Sequence, residues 1–123
     1  MAEPTEIVDT YIDMWNETDA ARRAEYIAKA WAPGGQYLDP VLEASGYEEL
    51  SKMVEAVHER FPGYRFKRLT EVDVHHHLVR FGWHLAGPNG DIAAAGIDIA
   101  VLAPDGRIER VTGFFGDLQE RAA

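Results

Sequence analysis

Ile92-Ala93-Ala94-Ala95-Gly96-Ile97-Asp98-Ile99-Ala100-Val101-Leu102-Ala103 is the stretch on which the fold turns. Asp98 is its only ionisable side chain, and a turn signal bounds it on each side: Gly87-Pro88-Asn89-Gly90 before, Pro104-Asp105-Gly106 after. An apolar run between two such turns predicts a strand joined to its neighbours by hairpins. Successive strand side chains point to opposite faces. Ala94, Gly96, Asp98, Ala100 and Leu102 therefore share one face, and Ala93, Ala95, Ile97, Ile99 and Val101 the other. Both faces are apolar, so the strand is expected to be covered twice, once by helices and once by a partner subunit or the C-terminal segment. Small residues beside Asp98 leave space around its carboxyl, which suits a ligand cavity better than a filled core. Desolvation there is expected to raise its pKa, so that it can stay protonated and donate a hydrogen bond. The plainer alternative is a structural aspartate that satisfies a backbone amide or a nearby arginine.

On the N-terminal side of this stretch, Val79, Phe81, Trp83 and Leu85 alternate with Arg80, Gly82 and His84, a half-buried strand. Tyr64–His77 reads as a longer, more polar strand with a bulge near Leu69–Asp73, where the alternation is poor. Arg107–Phe115 reads as the last strand. The first half of the chain is helical. Pro4 suits a first helical turn, and Ile7, Val8, Tyr11, Ile12, Met14 and Trp15 recur at spacings of three and four. Asn16–Asp19 interrupts that pattern, and Thr18 or Asp19 can cap the next helix. That helix spans Ala20–Trp31, with Ala24, Ile27, Ala28 and Trp31 on one side, and ends at Pro33-Gly34-Gly35. Ser45-Gly46-Tyr47-Glu48 matches a capping box and opens a third helix. Leu50, Met53, Val54, Val57 and Phe61 form its buried side, and Pro62-Gly63 stops it. Three helices followed by four antiparallel strands predict an α+β fold: a cone-shaped α+β barrel, its helices packed on one face of a curved antiparallel sheet over a pocket. No repeat or second domain is visible, so residues 1–123 read as one domain.

Composition narrows the functions. The chain has 123 residues and 12 basic against 21 acidic side chains, a formal charge of −9. That sign repels phosphate backbones and acidic lipid surfaces, so neither nucleic acid nor membrane is an expected partner. No cysteine is present, which excludes disulfides, thiolate metal sites and cysteine nucleophiles, and fits a reducing, cytoplasmic location. Glu3, Glu6 and Asp9 fall where a secretory leader needs an apolar stretch. Ile92–Ala103 is too short to span a bilayer.

Three further sites carry candidate chemistry. In Tyr37-Leu38-Asp39-Pro40, the proline biases Asp39 to an extended backbone and so holds it on a stiff segment; taken alone, this is an ordinary Asp-Pro turn. Tyr11 lies on the apolar stripe of the first helix, so its hydroxyl needs a buried partner or a polar spot in the cavity. In His75-His76-His77, a strand would put His75 and His77 on one face with Asp73, and no third ligand is spaced to complete a metal site. His84 is expected to point away from the apolar face, with pocket and dimer interface both open to it, and His58 to lie at the surface or pocket rim.

These elements resemble the nuclear transport factor 2-like superfamily, in its SnoaL-like branch, which includes polyketide cyclases and ketosteroid isomerases. The resemblance is carried by Trp31, Tyr37-Leu38-Asp39-Pro40, Val79-Arg80-Phe81-Gly82-Trp83, Gly96-Ile97-Asp98, and Asp105-Gly106-Arg107-Ile108 leading to Gly113-Phe114-Phe115. It implies a catalytic trio of Tyr11, Asp39 and Asp98. Asp39 would take a proton next to a carbonyl, while Tyr11 and protonated Asp98 donate to the developing enolate oxygen, the arrangement for which ketosteroid isomerase is the standard example. Trp31, Tyr37, Met53, Val57, Phe61 and Trp83 would hold the ligand. No cofactor or metal is implied, and the partner is a small hydrophobic carbonyl compound. The alternative is a noncatalytic ligand-binding or dimeric assembly module on the same cone. The doubly apolar strand, with Phe114 and Phe115, also predicts a homodimer packed through the sheet.

Overall fold

A computed structural model describes residues 2–122. Pro4 occupies the first turn of α1 (Pro4–Asn16), whose stripe of Ile7, Val8, Tyr11, Met14 and Trp15 is buried. Asp19 caps α2 (Ala20–Ala30), accepting from the Arg22 amide at 2.8 Å. The buried side of α2 is Arg23, Ile27 and Ala30, whereas Ala24 and Ala28, expected inside, are exposed. Arg23 can be buried because its guanidinium donates to Ser51 Oγ (2.9 Å) and to the Glu17 carbonyl (2.8 Å), and lies 3.6 Å from the Glu55 carboxylate. It ties the end of α1 to α2 and α3 (Gly46–Arg60).

Trp31 does not end α2; it begins β1 (Trp31–Leu38). Pro33-Gly34-Gly35, which reads as a stop, is an irregularity inside this strand, where the register with its parallel partner strand, residues 108–115, shifts between Trp31 and Gln36. Gly34 has φ +77°, and a Cβ on Gly35 would lie 2.5 Å from the Trp31 ring. A bulge of this kind frees Pro33 from the ladder. β2 (Glu43–Ser45) follows, then α3, with Leu50, Met53 and Val54 buried as expected. Its capping pattern is displaced by one residue: Glu49, not Glu48, accepts from the Ser45 amide (2.9 Å).

The segment expected as one long strand is two, β3 (Arg65–Arg68) and β4 (Asp73–His75), each antiparallel to β5 (Leu78–Ala86). Between them the chain leaves the ladder, and Thr70 Oγ1 accepts from the Gly82 amide (2.9 Å). His76 and His77 form the tight β4–β5 turn, with His76 at φ +53°, so the three histidines do not share a strand. β6 (Ile92–Leu102) and β7 (Ile108–Phe115) complete the sheet, in the order β2-β1-β7-β6-β5-β3, with β4 also on β5. β1 runs parallel to β7 and every other pair is antiparallel. The sheet is therefore mixed, and its path is open rather than a closed barrel.

The three helices pack on one face of the curved sheet, and the core lies between. Asp98 and Ala100 point into it. Ile97 and Ile99 point out and are 44% and 37% exposed. Residues 117–122 are themselves exposed, so the C-terminal segment does not supply the second cover.

Candidate functional site

Asp98 sits mid-strand, opposite Phe81 on β5 and Gly113 on β7. The Tyr11 hydroxyl donates to its Oδ2 (2.7 Å) and the Trp83 indole to its Oδ1 (3.0 Å). Only 4% of the residue is exposed. Burial pushes its pKa up to about 7; the two hydrogen bonds pull the other way, and the Asp39 carboxylate adds to the rise. Burial, then the Asp98 charge, likewise raises Tyr11 well above an ordinary tyrosine. Its hydroxyl therefore stays a donor.

Asp39 follows β1. Its Oδ1 accepts from the amides of Val41 (2.8 Å) and Leu42 (2.7 Å), so the Asp-Pro turn does form. Its Oδ2 accepts from the Tyr37 hydroxyl (2.6 Å). Tyr37 is raised by burial and then by the Asp98 charge, so it also stays a donor. A carboxylate offers about four lone-pair sites, and three of these are taken.

Asp98 and Asp39 both pack against Gly113. A Cβ there would stand 2.8 Å from Asp98 Oδ1, 3.2 Å from Asp39 Cβ and 3.5 Å from the Tyr37 hydroxyl. Only glycine fits there, because even a Cβ would crowd the Asp98 carboxyl.

An apolar cavity of about 640 Å³ is bordered by Asp39 and Tyr37. Its aromatic wall runs Tyr37, Trp15, Phe66, Trp83, Phe115, with successive ring centroids 5.0–5.9 Å apart. Asn16 holds that wall in place by exchanging two hydrogen bonds with the Phe66 backbone (2.7 and 2.9 Å). His58, expected at the surface or rim, is half-buried, and its Nε2 lies 2.7 Å from the Trp15 carbonyl.

Of the expected site residues, Tyr37, Asp39, Val57, Phe61 and Trp83 line the cavity. Asp98 and Tyr11 do not; they stand one and two hydrogen bonds behind Trp83. Trp31 and Met53 lie instead in the packed core, 0% and 7% exposed, Trp31 with its ring centroid 5.9 Å from that of Tyr11. Trp31 is drawn inward because it starts β1 rather than facing out from a helix end. Sequence reasoning missed Trp15, Arg60 and Phe66 as lining residues. Trp15 carried a signal, its place on the α1 stripe, while Arg60 and Phe66 are placed only by how α3 and β3 meet. His84 lies on the outer face, as its alternation requires. Among the described residues, no group of three His, Cys, Asp or Glu side chains could hold a metal ion, and no helix is long and apolar enough to cross a membrane.

Three helices over an open mixed sheet, enclosing an apolar cavity that Asp39 and Tyr37 border, form a nuclear transport factor 2-like α+β cone. Residues 8–111 match the SnoaL-like domain, and the chain belongs to that family. It is similar to a candidate isomerase of the SnoaL-like family from Agrobacterium tumefaciens str. C58, at 38% identity over 95% of this chain and 100% of that one, with a TM-score of 0.88. A candidate SnoaL-like polyketide cyclase from Jannaschia sp. CCS1 shares the fold at 19% identity, covering 94% and 90% of the two chains, with a TM-score of 0.68. A nuclear transport factor 2-like protein of unknown function from Exiguobacterium sp. 255-15 does so at 18% identity over 91% and 99%, with a TM-score of 0.70. No curated protein matches the chain.

Proposed function

We propose that the chain is a small-molecule enzyme of ketosteroid isomerase-like type, moving a proton next to the carbonyl of a hydrophobic ligand without a cofactor. The observation that supports this most is that Asp39 and the Tyr37 hydroxyl line an apolar cavity, with Asp98 held behind Trp83 and both acids packed against Gly113. In this reading Asp39 takes the α-proton on its remaining lone pair, and the C–H electron pair moves onto the carbonyl oxygen. For Asp98, protonated below about pH 7, to donate to that enolate oxygen, the ligand must reach past Trp83 to it. Tyr11 has turned its hydroxyl to Asp98, so it positions this acid rather than reaching the ligand itself. Returning the proton to a different carbon completes an isomerisation. Attack of the enolate carbon on a second carbonyl, with the proton passing to the new alkoxide, completes an aldol-type cyclisation.

The test is α-proton exchange, followed by NMR in deuterated buffer with cyclic enones and β,γ-unsaturated ketones. Wild type should exchange, and Asp39→Asn should fall to background because an amide accepts no proton. Asp98→Ala should lose a hundredfold or more, the usual effect of removing one oxyanion donor. Asp98→Asn, which keeps a donor, should fall between Asp98→Ala and wild type. A second reading, a noncatalytic binding module, draws on the same geometry, since every oxygen of both carboxyl groups already has a partner within the chain. It requires no exchange above the Asp39→Asn background with any ketone.

A further inference from the structure

The cavity that the proposed function uses has polar groups in few places. Among the described residues lining it, Asp39 is the only carboxylate and Arg60 the only basic side chain. Arg60 is exposed, at the last position of α3. It forms no ion pair and no side-chain hydrogen bond among the described residues; Arg65, Arg110 and Arg121 share that, but of these four only Arg60 lines the cavity, and the other arginines each lie within 4.0 Å of a carboxylate. In a chain with 21 acidic and 12 basic side chains, an uncommitted guanidinium beside an apolar cavity is out of keeping with its surroundings. Its place at a helix C-terminus is favourable by itself, but that accounts for a cation there and not for one over the cavity.

We propose that Arg60 anchors an anionic group of the ligand, and that the substrate class is an amphipathic keto acid: an apolar body with a carboxylate at one end and the reacting carbonyl away from it. This rests on the cavity being the ligand site. The charge arrangement sets the direction of binding. Asp39 repels a carboxylate and Arg60 attracts one, so the acid end goes to Arg60 and the carbonyl end towards Asp39. A guanidinium suits the anchor because its fork of donors matches both oxygens of a carboxylate. The aromatic wall between the two ends takes the apolar body. Because Arg60 is open to solvent, the contact adds modest affinity and mostly orientation, about a threefold to tenfold preference for acid over a neutral isostere.

The experiment is calorimetric titration of the full chain with 4-oxo-4-phenylbutanoate and with its neutral amide, 4-oxo-4-phenylbutanamide. Wild type should bind the acid about threefold to tenfold tighter at low salt, and the preference should shrink as salt is raised. Arg60→Gln should bind acid and amide equally while its affinity for the amide is unchanged, which also shows that the cavity remains intact. Arg60→Lys should keep part of the preference. Equal binding by wild type, or a preference that survives in Arg60→Gln, overturns the anchor and leaves the cavity reading standing. Binding of neither compound overturns both. Proton exchange on the amide is read separately, so loss of the catalytic reading alone leaves the anchor testable.

Discussion

An aspartate 4% exposed, with only a tyrosine and a tryptophan donating to it, holds its proton to about pH 7, while in the unfolded chain it loses it near pH 3.9. Between those values the folded protein binds a proton that the unfolded one does not. Its stabilising contribution is therefore full below about pH 4 and is lost as pH rises through 7. Linkage puts the loss between pH 5 and pH 8 at about 2–3 kcal/mol. Asp98→Asn stays neutral, and its amide can accept from Trp83 and donate to Tyr11, so it should remove this slope. Urea unfolding at the two pH values, in wild type and variant, reads the difference. Equal pH dependence in both would mean that Asp98 is ionised throughout. At this scale the candidate site is partly legible. The depth of Asp98 follows from alternation among small residues, and the tight hold on Asp39 follows from Asp-Pro chemistry. The Trp83 indole as a donor to Asp98 does not follow, because it depends on the β5–β6 register, which places Trp83 opposite Gly96 and two residues from Asp98. Nor does Arg60, whose role depends on where a helix end meets a sheet.

Elements with a strong period of their own are legible, and those made by distant pairing are not. The alternation of β5 survives intact, and the stripes of α1 and α3 survive in the main, with Ile12, Val57 and Phe61 only half-buried. β1 was hidden because its partner β7 lies some seventy residues on and runs parallel to it, and because its bulge imitates a helix stop. β2 has three residues, too few to show any period. The buried face of α2 was misplaced because a charged residue, Arg23, occupies a core position that only its tertiary partners make tolerable. The β6–β7 pairing that holds Asp98 in place rests on a close approach at Gly96. A Cβ there would fall 1.9 Å from the Phe114 carbonyl oxygen, with two further backbone atoms near 3 Å. Backbone cannot give way as a flexible side chain does, so Gly96→Ala should cost about 3 kcal/mol or more, above the common range for point substitutions. Gly90→Ala is a useful contrast, since nothing lies within 4 Å of its Cβ and only its φ of +84° opposes the change. Thermal melts should place Gly96→Ala well below Gly90→Ala; similar melting temperatures would show that the two strands part easily.

The whole molecule leaves one face unfinished. The helices cover the inner side of the sheet, while Ile97, Ile99 and Phe114 stand 44%, 37% and 58% exposed on the outer side of β6 and β7. Ile97 and Phe114 are directly paired across the two strands, so the apolar surface is continuous and not a scatter of single residues. The outward side chains of β6 include no charge, and those beside them on β5 and β7 include Arg80, His84 and Arg110, a polar border around an apolar centre. Such a surface suits a second copy of the chain: a two-fold axis sets like against like, which apolar side chains accept and a strongly charged patch would not. We therefore expect a homodimer packed face to face through β6 and β7, burying on the order of 800 Å² per chain if it is stable. Light scattering at micromolar concentration should give twice the chain mass. Ile97→Glu together with Phe114→Glu should give the monomer with helix content unchanged, because both side chains already face solvent in the single chain. A wild-type monomer at that concentration counts decisively against this interface. The double variant also separates assembly from chemistry. The two acids and the cavity belong to one chain, so its α-proton exchange should persist wherever the wild type shows it.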